Sequence, residues 1–371
     1  MAQRVTIVLS DLHFGNGDDL LHSPSALKIL EPELSGADTL VLNGDVWDLI
    51  SVNLATAVEA SRPFFAMVAK NVKEIIYLPG NHDYHLVAAA TDRHEFSKLI
   101  DIADETPFRL YLAELLLKEL TFGKVQIRSA YPVIEIDGMT YHHGHYISPH
   151  LRNTAWRMFD LLSWRLAGLE RRQQNLTSSE YEAILAPLHE LLYHSAQLPS
   201  SKQTMQSGEK ALLFAAKAMR LPGRIGRKAT SPFRKHLTDD FSASNSLFQI
   251  TSPAQAVEAM QMVCTNLGLS AGPICIGHSH APFDNMIADG WTFHNSGSWV
   301  LDHREKRYPH YKYTAWPGTI LRVENMTVTR KELLTDYRLK DLENMLAEQS
   351  DLPLRRRRRR WLRKKPREPE V

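Results

Sequence analysis

Apolar residues in the first third of the chain fall into short runs separated by longer amphipathic stretches. Arg4-Val5-Thr6-Ile7-Val8-Leu9, Thr39-Leu40-Val41-Leu42 and Glu74-Ile75-Ile76-Tyr77-Leu78 are too short for helices and rich in β-branched residues, so each predicts a buried strand. Ser23 to Leu34 and Asn53 to Val72 lie between them and predict helices, which gives the alternation of α/β units. The text is helical again from Thr91 to Leu120. Strands resume at Val125 to Ile127, Val133 to Ile136 and Met139 to His142, with Asp137-Gly138 as a hairpin turn. Further strands are expected at Ile274-Cys275-Ile276, Trp291-Thr292-Phe293-His294, Thr319 to Val323 and Met326 to Thr329, and a helix from Asp336 to Glu348.

About 130 residues, mostly helical in pattern, separate His145 from Gly277. Their first helix is predicted over Pro149 to Arg172, with Trp156, Phe159, Leu162, Leu166 and Leu169 at three-and-four spacing and arginines between them. Such a stripe suits either a helix inside the insertion's own core or a greasy, cationic wall over a site. Gln197 to Ser207 and Leu221 to Lys235 read as exposed loops, the second strongly basic. The expected organisation is therefore a catalytic body in two parts, 1–148 and 271–333, interrupted by a helical cap over 149–270. A helix at 334–350 and a tail at 351–371 follow.

Composition adds bounds. With 371 residues and 43% apolar content the chain can bury a large core, and 23% charged residues suit a soluble protein. No apolar run reaches the roughly 18 residues of a membrane span. The chain enters its first strand with no signal-like segment before it, so a cytoplasmic protein is expected. Cys264 and Cys275 lie in apolar surroundings with no ligand or disulfide spacing. The last 17 residues carry ten basic side chains between Arg355 and Arg367 against Glu368 and Glu370, a net of +8 in a chain of +2. Six consecutive arginines cannot pack, so this tail is expected to be disordered when free. Its partners by charge are an anionic membrane surface, which Trp361 and Leu362 favour, or a nucleic acid.

The candidate chemistry lies in five blocks: Asp11-Leu12-His13, Gly44-Asp45-Val46-Trp47-Asp48, Gly80-Asn81-His82-Asp83, His143-Gly144-His145 and Gly277-His278-Ser279-His280. Together they supply the oxygen and nitrogen ligands, and the carboxylate able to bridge, that a centre of two hard divalent cations needs. Four of them follow expected strands, which would gather their side chains along one sheet edge. At the fourth block the His-Gly-His turn could present either end. Asp48 could equally cap a helix. Asn295-Ser296-Gly297-Ser298 and Gly15-Asn16-Gly17 are turns that either shape a site or simply reverse the chain.

In these blocks the chain resembles the calcineurin-like metallophosphoesterases. The resemblance implies a sandwich of two mixed sheets with helices outside and two divalent metals, Mn²⁺, Fe or Zn²⁺. It assigns Asp11, His13 and His280 to one metal and Asn81, His143 and His278 to the other, with Asp45 bridging. It also implies direct attack on a phosphoester by a metal-bound hydroxide, with His82 as general acid and Asp48 orienting it. The protein Ser/Thr phosphatase branch is disfavoured, because Leu49 follows Asp48 and Asp83 follows His82. Two narrower readings accompany this one. The helical insertion resembles that of the UDP-2,3-diacylglucosamine pyrophosphohydrolases, and the basic tail suits a nuclease or nucleotide phosphodiesterase.

Overall fold

The computed structural model describes residues 4–87, 110–151, 163–165, 167–170, 172, 174–197, 252–301 and 316–348. Strand β1 (Val5–Leu9), β2 (Thr39–Asn43), β3 (Glu74–Leu78) and β4 (Gln126–Ser129) pair in parallel. They alternate with α1 (Pro24–Leu34), α2 (Leu54–Asn71) and α3 (Tyr111–Leu120). Local chemistry sets the helix starts. The Ser23 side chain accepts from the Ala26 amide with Pro24 at the first helical position, and Asn53 accepts from Thr56 at 2.9 Å.

The second sheet is built from the hairpin β5 (Val133–Ile136) and β6 (Met139–His142), then β7 (Pro273–Ile276), β8 (Phe283–Ala288) and β9 (Trp291–Asn295). Asp137 and Gly138 both hold φ above +50°, which closes the hairpin turn. Two late strands, β10 (Thr319–Glu324) and β11 (Thr327–Glu332), return to the first sheet, where β10 runs antiparallel to β1. The orders are β11-β10-β1-β2-β3-β4 and β5-β6-β7-β9-β8, so both sheets are mixed.

Alternation along the strands splits the core into layers. Val8, Val41, Ile76 and Leu78 of the first sheet meet Ile136, Met139, Tyr141 and Cys275 of the second in one apolar cluster, so the sheets lie face to face. Ile7, Leu9, Leu40, Leu42, Ile75 and Tyr77 point the other way and pack against α1, α2 and α3, with Leu342 and Leu346 of α6 (Leu339–Ala347) joining them. On the far side of the second sheet Ile274, Ile276 and Phe293 pack against α4 (Ser178–Gln197) and α5 (Pro253–Asn266). The architecture is α/β/β/α, with Cys264 and Cys275 as free, buried core residues.

The expected helix over Pro149 to Arg172 is corrected at both ends. His145–His150 forms a tight 3-10 turn and Leu151 is extended. Further on, helical residues 163–165 are closed by bonds from Gly168 to the Arg165 carbonyl and from Leu169 to that of Trp164. Gly168 takes a left-handed φ of 68°, a helix stop that the three-and-four stripe conceals. Trp156, Phe159, Leu162 and Leu166 of that stripe lie outside the described residues. So do 91–109 of the long helical stretch, both predicted basic or Ser-rich loops beyond Gln197, and the tail. Among the described residues no helix is long and apolar enough to cross a membrane.

Candidate metal centre

Every block lies at the end of a strand or in the turn beyond it. Asp11 and His13 follow β1, Asp45 and Asp48 follow β2, Asn81 and His82 follow β3, His143 follows β6, and His278 and His280 follow β7. The loops are stitched to one another by backbone bonds: Asp11 donates to the Gly44 carbonyl at 3.0 Å, His13 to Asp45 at 2.9 Å, Leu49 to His82 at 3.2 Å and Gly277 to His143 at 2.7 Å. Asp11, His13, Asp45, His278 and His280 all hold φ between 50° and 63°, a region in which non-glycine side chains are uncommon and cost energy. Surrounding hydrogen bonds hold them there. The Asp83 carboxylate accepts from Gly80 at 2.5 Å and Val46 at 2.9 Å, Asp45 Oδ1 accepts from the His82 amide at 2.7 Å, and Asp11 Oδ2 accepts from the His278 amide at 3.0 Å.

The side chains converge in two overlapping groups. His280 Nε2 lies 3.2 Å from Asp11 Oδ1 and 3.1 Å from His13 Nε2. On the other side His143 Nε2 lies 3.2 Å from Asp45 Oδ2, and His278 Nδ1 lies 2.8 Å from Asn81 Oδ1. Asp45 joins the groups, since its Oδ2 is also 3.7 Å from His13 Nε2. Potential ligand atoms of Asp11, His13 and His280, and of Asp45, His143 and His278, lie within 4.8 Å of one another in each set. Donor atoms about 3 to 3.5 Å apart are what metal–ligand distances near 2.1 Å require. Two of them, Asp11 Oδ1 and His143 Nε2, are buried with no hydrogen bond. A buried polar atom is expensive to leave without a partner, and a cation in each group would supply one. The residues therefore fit a metal pair.

The turn at His143 is resolved by its neighbours. His143 Nδ1 donates to the Asn43 carbonyl at 2.8 Å and turns Nε2 toward Asp45. His142 accepts from the Gly144 amide, and His145 Nε2 lies 3.1 Å from the Tyr131 hydroxyl, so both are engaged elsewhere. Asp48 Oδ1 sits 2.7 Å from His82 Nδ1, and Asn53 caps the following helix instead. His82 also reaches His13 and Asp45 with a ring atom.

Several supporting residues lie outside the five blocks, and two of them belong to the Asn295-Ser296-Gly297-Ser298 turn, which does shape the site. Asn295 Nδ2 donates to the Gly277 carbonyl at 2.8 Å and to Ser279 Oγ at 3.1 Å, holding the turn that carries His278 and His280. Ser10 Oγ lies 2.7 Å from Ser296 Oγ and ties that region to β1. Asn43 donates to Cys275 and so bridges the sheets. Asn16, by contrast, folds its own loop, accepting from the amides of Asp18 and Asp19.

Two glycines are required for space. A Cβ on Gly80 would lie 2.2 Å from Asp45 Oδ1 and 2.6 Å from His143 Nε2. One on Gly44, whose φ is +90°, would lie 2.1 Å from His143 Nδ1. Gly80→Ala is therefore expected to push Asp45 and His143 apart and reduce bound metal to half or less of the wild-type stoichiometry. Elemental analysis of the purified variant checks this, and an unchanged stoichiometry would contradict it.

Charge in the centre is strongly mixed. Burial alone would raise the Asp45 carboxyl, but His143, His82 and His13 outweigh it and hold it well below the carboxylate range. Burial would lower His82 and His143, yet the Asp45 charge, joined for His82 by Asp48, lifts both to about 9. Elsewhere burial dominates: it takes His142, His189 and His278 down to about 3 and His150 and His294 to about 4, and lowers His13 and His145 as well. These depressed groups stay neutral in the folded chain while their unfolded counterparts protonate near pH 6.5. Unfolding thus takes up protons below that pH. His82 and His143, lifted to about 9, together with Asp83, raised to about 6, and Glu182, also raised, oppose the effect, but they are fewer than the seven depressed histidines. Chelator-treated protein is expected to be less stable at pH 5 than at pH 7 by at least about 2 kcal/mol, and urea midpoints at the two values test it.

Residues 5–213 match the family model described as calcineurin-like phosphoesterase, more than half of the chain. The chain belongs to that family and is a metal-dependent phosphoester hydrolase. No curated protein sequence matches it. Among solved structures it is similar to a metallophosphoesterase from Sphaerobacter thermophilus, at 12% identity over 93% of each chain and a TM-score of 0.32. It is also similar to a dimetal phosphatase from Danio rerio, at 10% identity over 88% of this chain and 98% of that one, TM-score 0.32. A mutant cold-active protein tyrosine phosphatase matches at 16% identity over 89% and 78%, TM-score 0.29.

Proposed function

We propose that the protein hydrolyses phosphoesters at a dinuclear centre in which Asp11, His13 and His280 hold one metal, Asn81, His143 and His278 hold the other, and Asp45 bridges. The observation that carries this reading is the position of Asp45 between the two groups, within 3.7 Å of His13 and 3.2 Å of His143. When bound, the metals supply Lewis acidity, acidifying a water and drawing charge from the phosphoryl oxygens. His82 is the proton donor to the departing oxygen: Asp48 engages its Nδ1 and fixes the orientation of the ring for that transfer. The ligand set of His, Asp and Asn suits Mn²⁺, Fe or Zn²⁺, with Mn²⁺ preferred here. The basic stretch from Arg355 to Arg367 supports recruitment to an anionic surface or nucleic acid, and the proposed location is the cytoplasm.

Hydrolysis by Mn²⁺-reconstituted protein tests the reading. The panel is bis(p-nitrophenyl) phosphate, p-nitrophenyl phosphate, a cyclic nucleotide and a UDP-linked acyl-sugar. Turnover of any member, with two metals per chain, supports it and selects between diesterase, monoesterase and pyrophosphohydrolase. Protein that retains no metal and turns over none would refute it.

A further inference from the structure

Helix α4, from the insertion, is fastened to the loops that carry the centre. At its C-terminal end Gln197 accepts from the Leu54 amide at 3.2 Å and reaches the Leu49 carbonyl at 3.4 Å, gripping the loop that follows Asp48. At its start the Glu182 carboxylate receives the hydroxyls of Tyr84 and Tyr131, both at 2.6 Å, and that of Tyr146. Tyr84 follows Asn81-His82-Asp83 directly, and Tyr146 follows His145. Between these anchors the His85 ring stacks on Tyr193 with centroids 3.4 Å apart. The helix is thereby held in register with three of the site loops along its length.

His189 lies between the anchors and faces inward. It is 9% exposed, its ring centroid is 5.2 Å from that of Tyr84 and 6.3 Å from that of His145, and its Nδ1 is buried with no hydrogen bond. Its neighbour His145 lies against His143, with ring centroids 5.6 Å apart, and its neighbour Tyr84 directly follows Asp83, so the ring packs on two of the loops that carry the centre. A buried imidazole nitrogen with no partner is costly, and an apolar side chain would fill the same space without that cost. Among the described residues no Arg or Lys is buried. Within the enclosed part of the site, the described side-chain donors to a phosphoryl oxygen are therefore imidazoles, amides and hydroxyls.

We propose that His189 is part of the substrate site and gives a hydrogen bond to the phosphoryl group, which makes the insertion helix a wall of the active site rather than a separate cover. This rests on the dinuclear reading above. Burial keeps the ring neutral, so it presents one N–H and needs no counter-charge of its own. A hydrogen bond to a charged group contributes about 1.5–3 kcal/mol, which corresponds to about 10- to 100-fold in affinity.

The test compares His189→Leu and His189→Gln with wild type, each as the full chain loaded with Mn²⁺. Metal content is measured first, then orthophosphate affinity by calorimetry, then KM and kcat for p-nitrophenyl phosphate. The expected result is normal metal content in both variants and a loss of about 10-fold or more in orthophosphate affinity for His189→Leu, with KM rising in parallel. His189→Gln, which keeps an N–H donor, should stay within about 3-fold of wild type. Unchanged orthophosphate affinity in His189→Leu, or equal losses in both variants, would overturn the proposal while leaving the metal centre standing. Loss of metal from wild type itself would refute the dinuclear reading separately. Should the variants fail to fold, Zn²⁺-loaded wild type decides the matter: the His189 ring nitrogen signals must shift on adding orthophosphate, and an unmoved signal or no orthophosphate binding overturns the inference.

Discussion

Asp45→Asn is expected to lower kcat/KM by about 10³-fold or more and to cut bound metal from two ions to one or none. The Asp45 side chain lies against three elements of the centre: its Oδ2 faces His143 and His13, and its Oδ1 accepts the His82 amide. An amide of the same shape can still accept from His82, so the loop should keep its path, but it brings no negative charge for two cations to share. Losing several kcal/mol of transition-state stabilisation gives the stated factor. Circular dichroism should be unchanged, and metal analysis beside the rate separates a lost bridge from a lost fold. A variant with two metals and wild-type rate would remove Asp45 from the bridging position.

His82→Asn is expected to behave differently, lowering kcat by about 10²- to 10⁴-fold with metal content intact. The loss should depend on the leaving group. An alkyl phosphate releases a basic alkoxide that needs a proton as the bond breaks, so it should suffer the full effect. p-Nitrophenolate is stable without a proton, so its ester should lose much less. The prediction follows from the 2.7 Å contact between His82 Nδ1 and Asp48 Oδ1, which orients the ring for proton transfer. Equal losses for both esters would mean that His82 positions the site without acting as an acid.

The scaffold of this centre was legible because its local rules agree. Val5–Leu9, Thr39–Asn43 and Glu74–Leu78 are continuous apolar runs, as strands covered on both faces must be, and each ends in a block of chemically restricted residues. Strand β8 leaves no such trace in the sequence, because its ladder to β9 shifts register between Phe283 and Met286, where Asn285 adopts φ 54°, and the two-residue alternation is broken there. At Gly168 the apolar stripe of the expected long helix continues past the turn that ends it, which hides the stop.

The support of the site was less visible for a physical reason. Asn43 and Ser10 act on groups as far as 286 residues away, and a lone buried polar residue leaves no periodic trace; half-buried Glu182 is equally silent in its helix. His189 is the clearest case. In the sequence it is one more residue of a helix, and only the fold brings it against Tyr84 and His145, on two of the loops that carry the centre. Asp83 stood within a recognised block without a role, and its two hydrogen bonds now give it one, as the clamp that holds Gly80 to Val46.

The seam between the two sheets runs through the proposed ligand set. Asp11, His13, Asp45 and Asn81 hang from the first sheet, while His143, His278 and His280 hang from the second. A bound ion would therefore act as a rivet through the sandwich, and its affinity would be spent partly on resisting shear between the halves. At an ion concentration 1,000 times its dissociation constant this adds about 4 kcal/mol against unfolding. Chelation should then loosen the joint first, with amide exchange rising along β6 and β7 before the outer helices respond, so that occupancy of the centre governs the mechanical integrity of the whole domain.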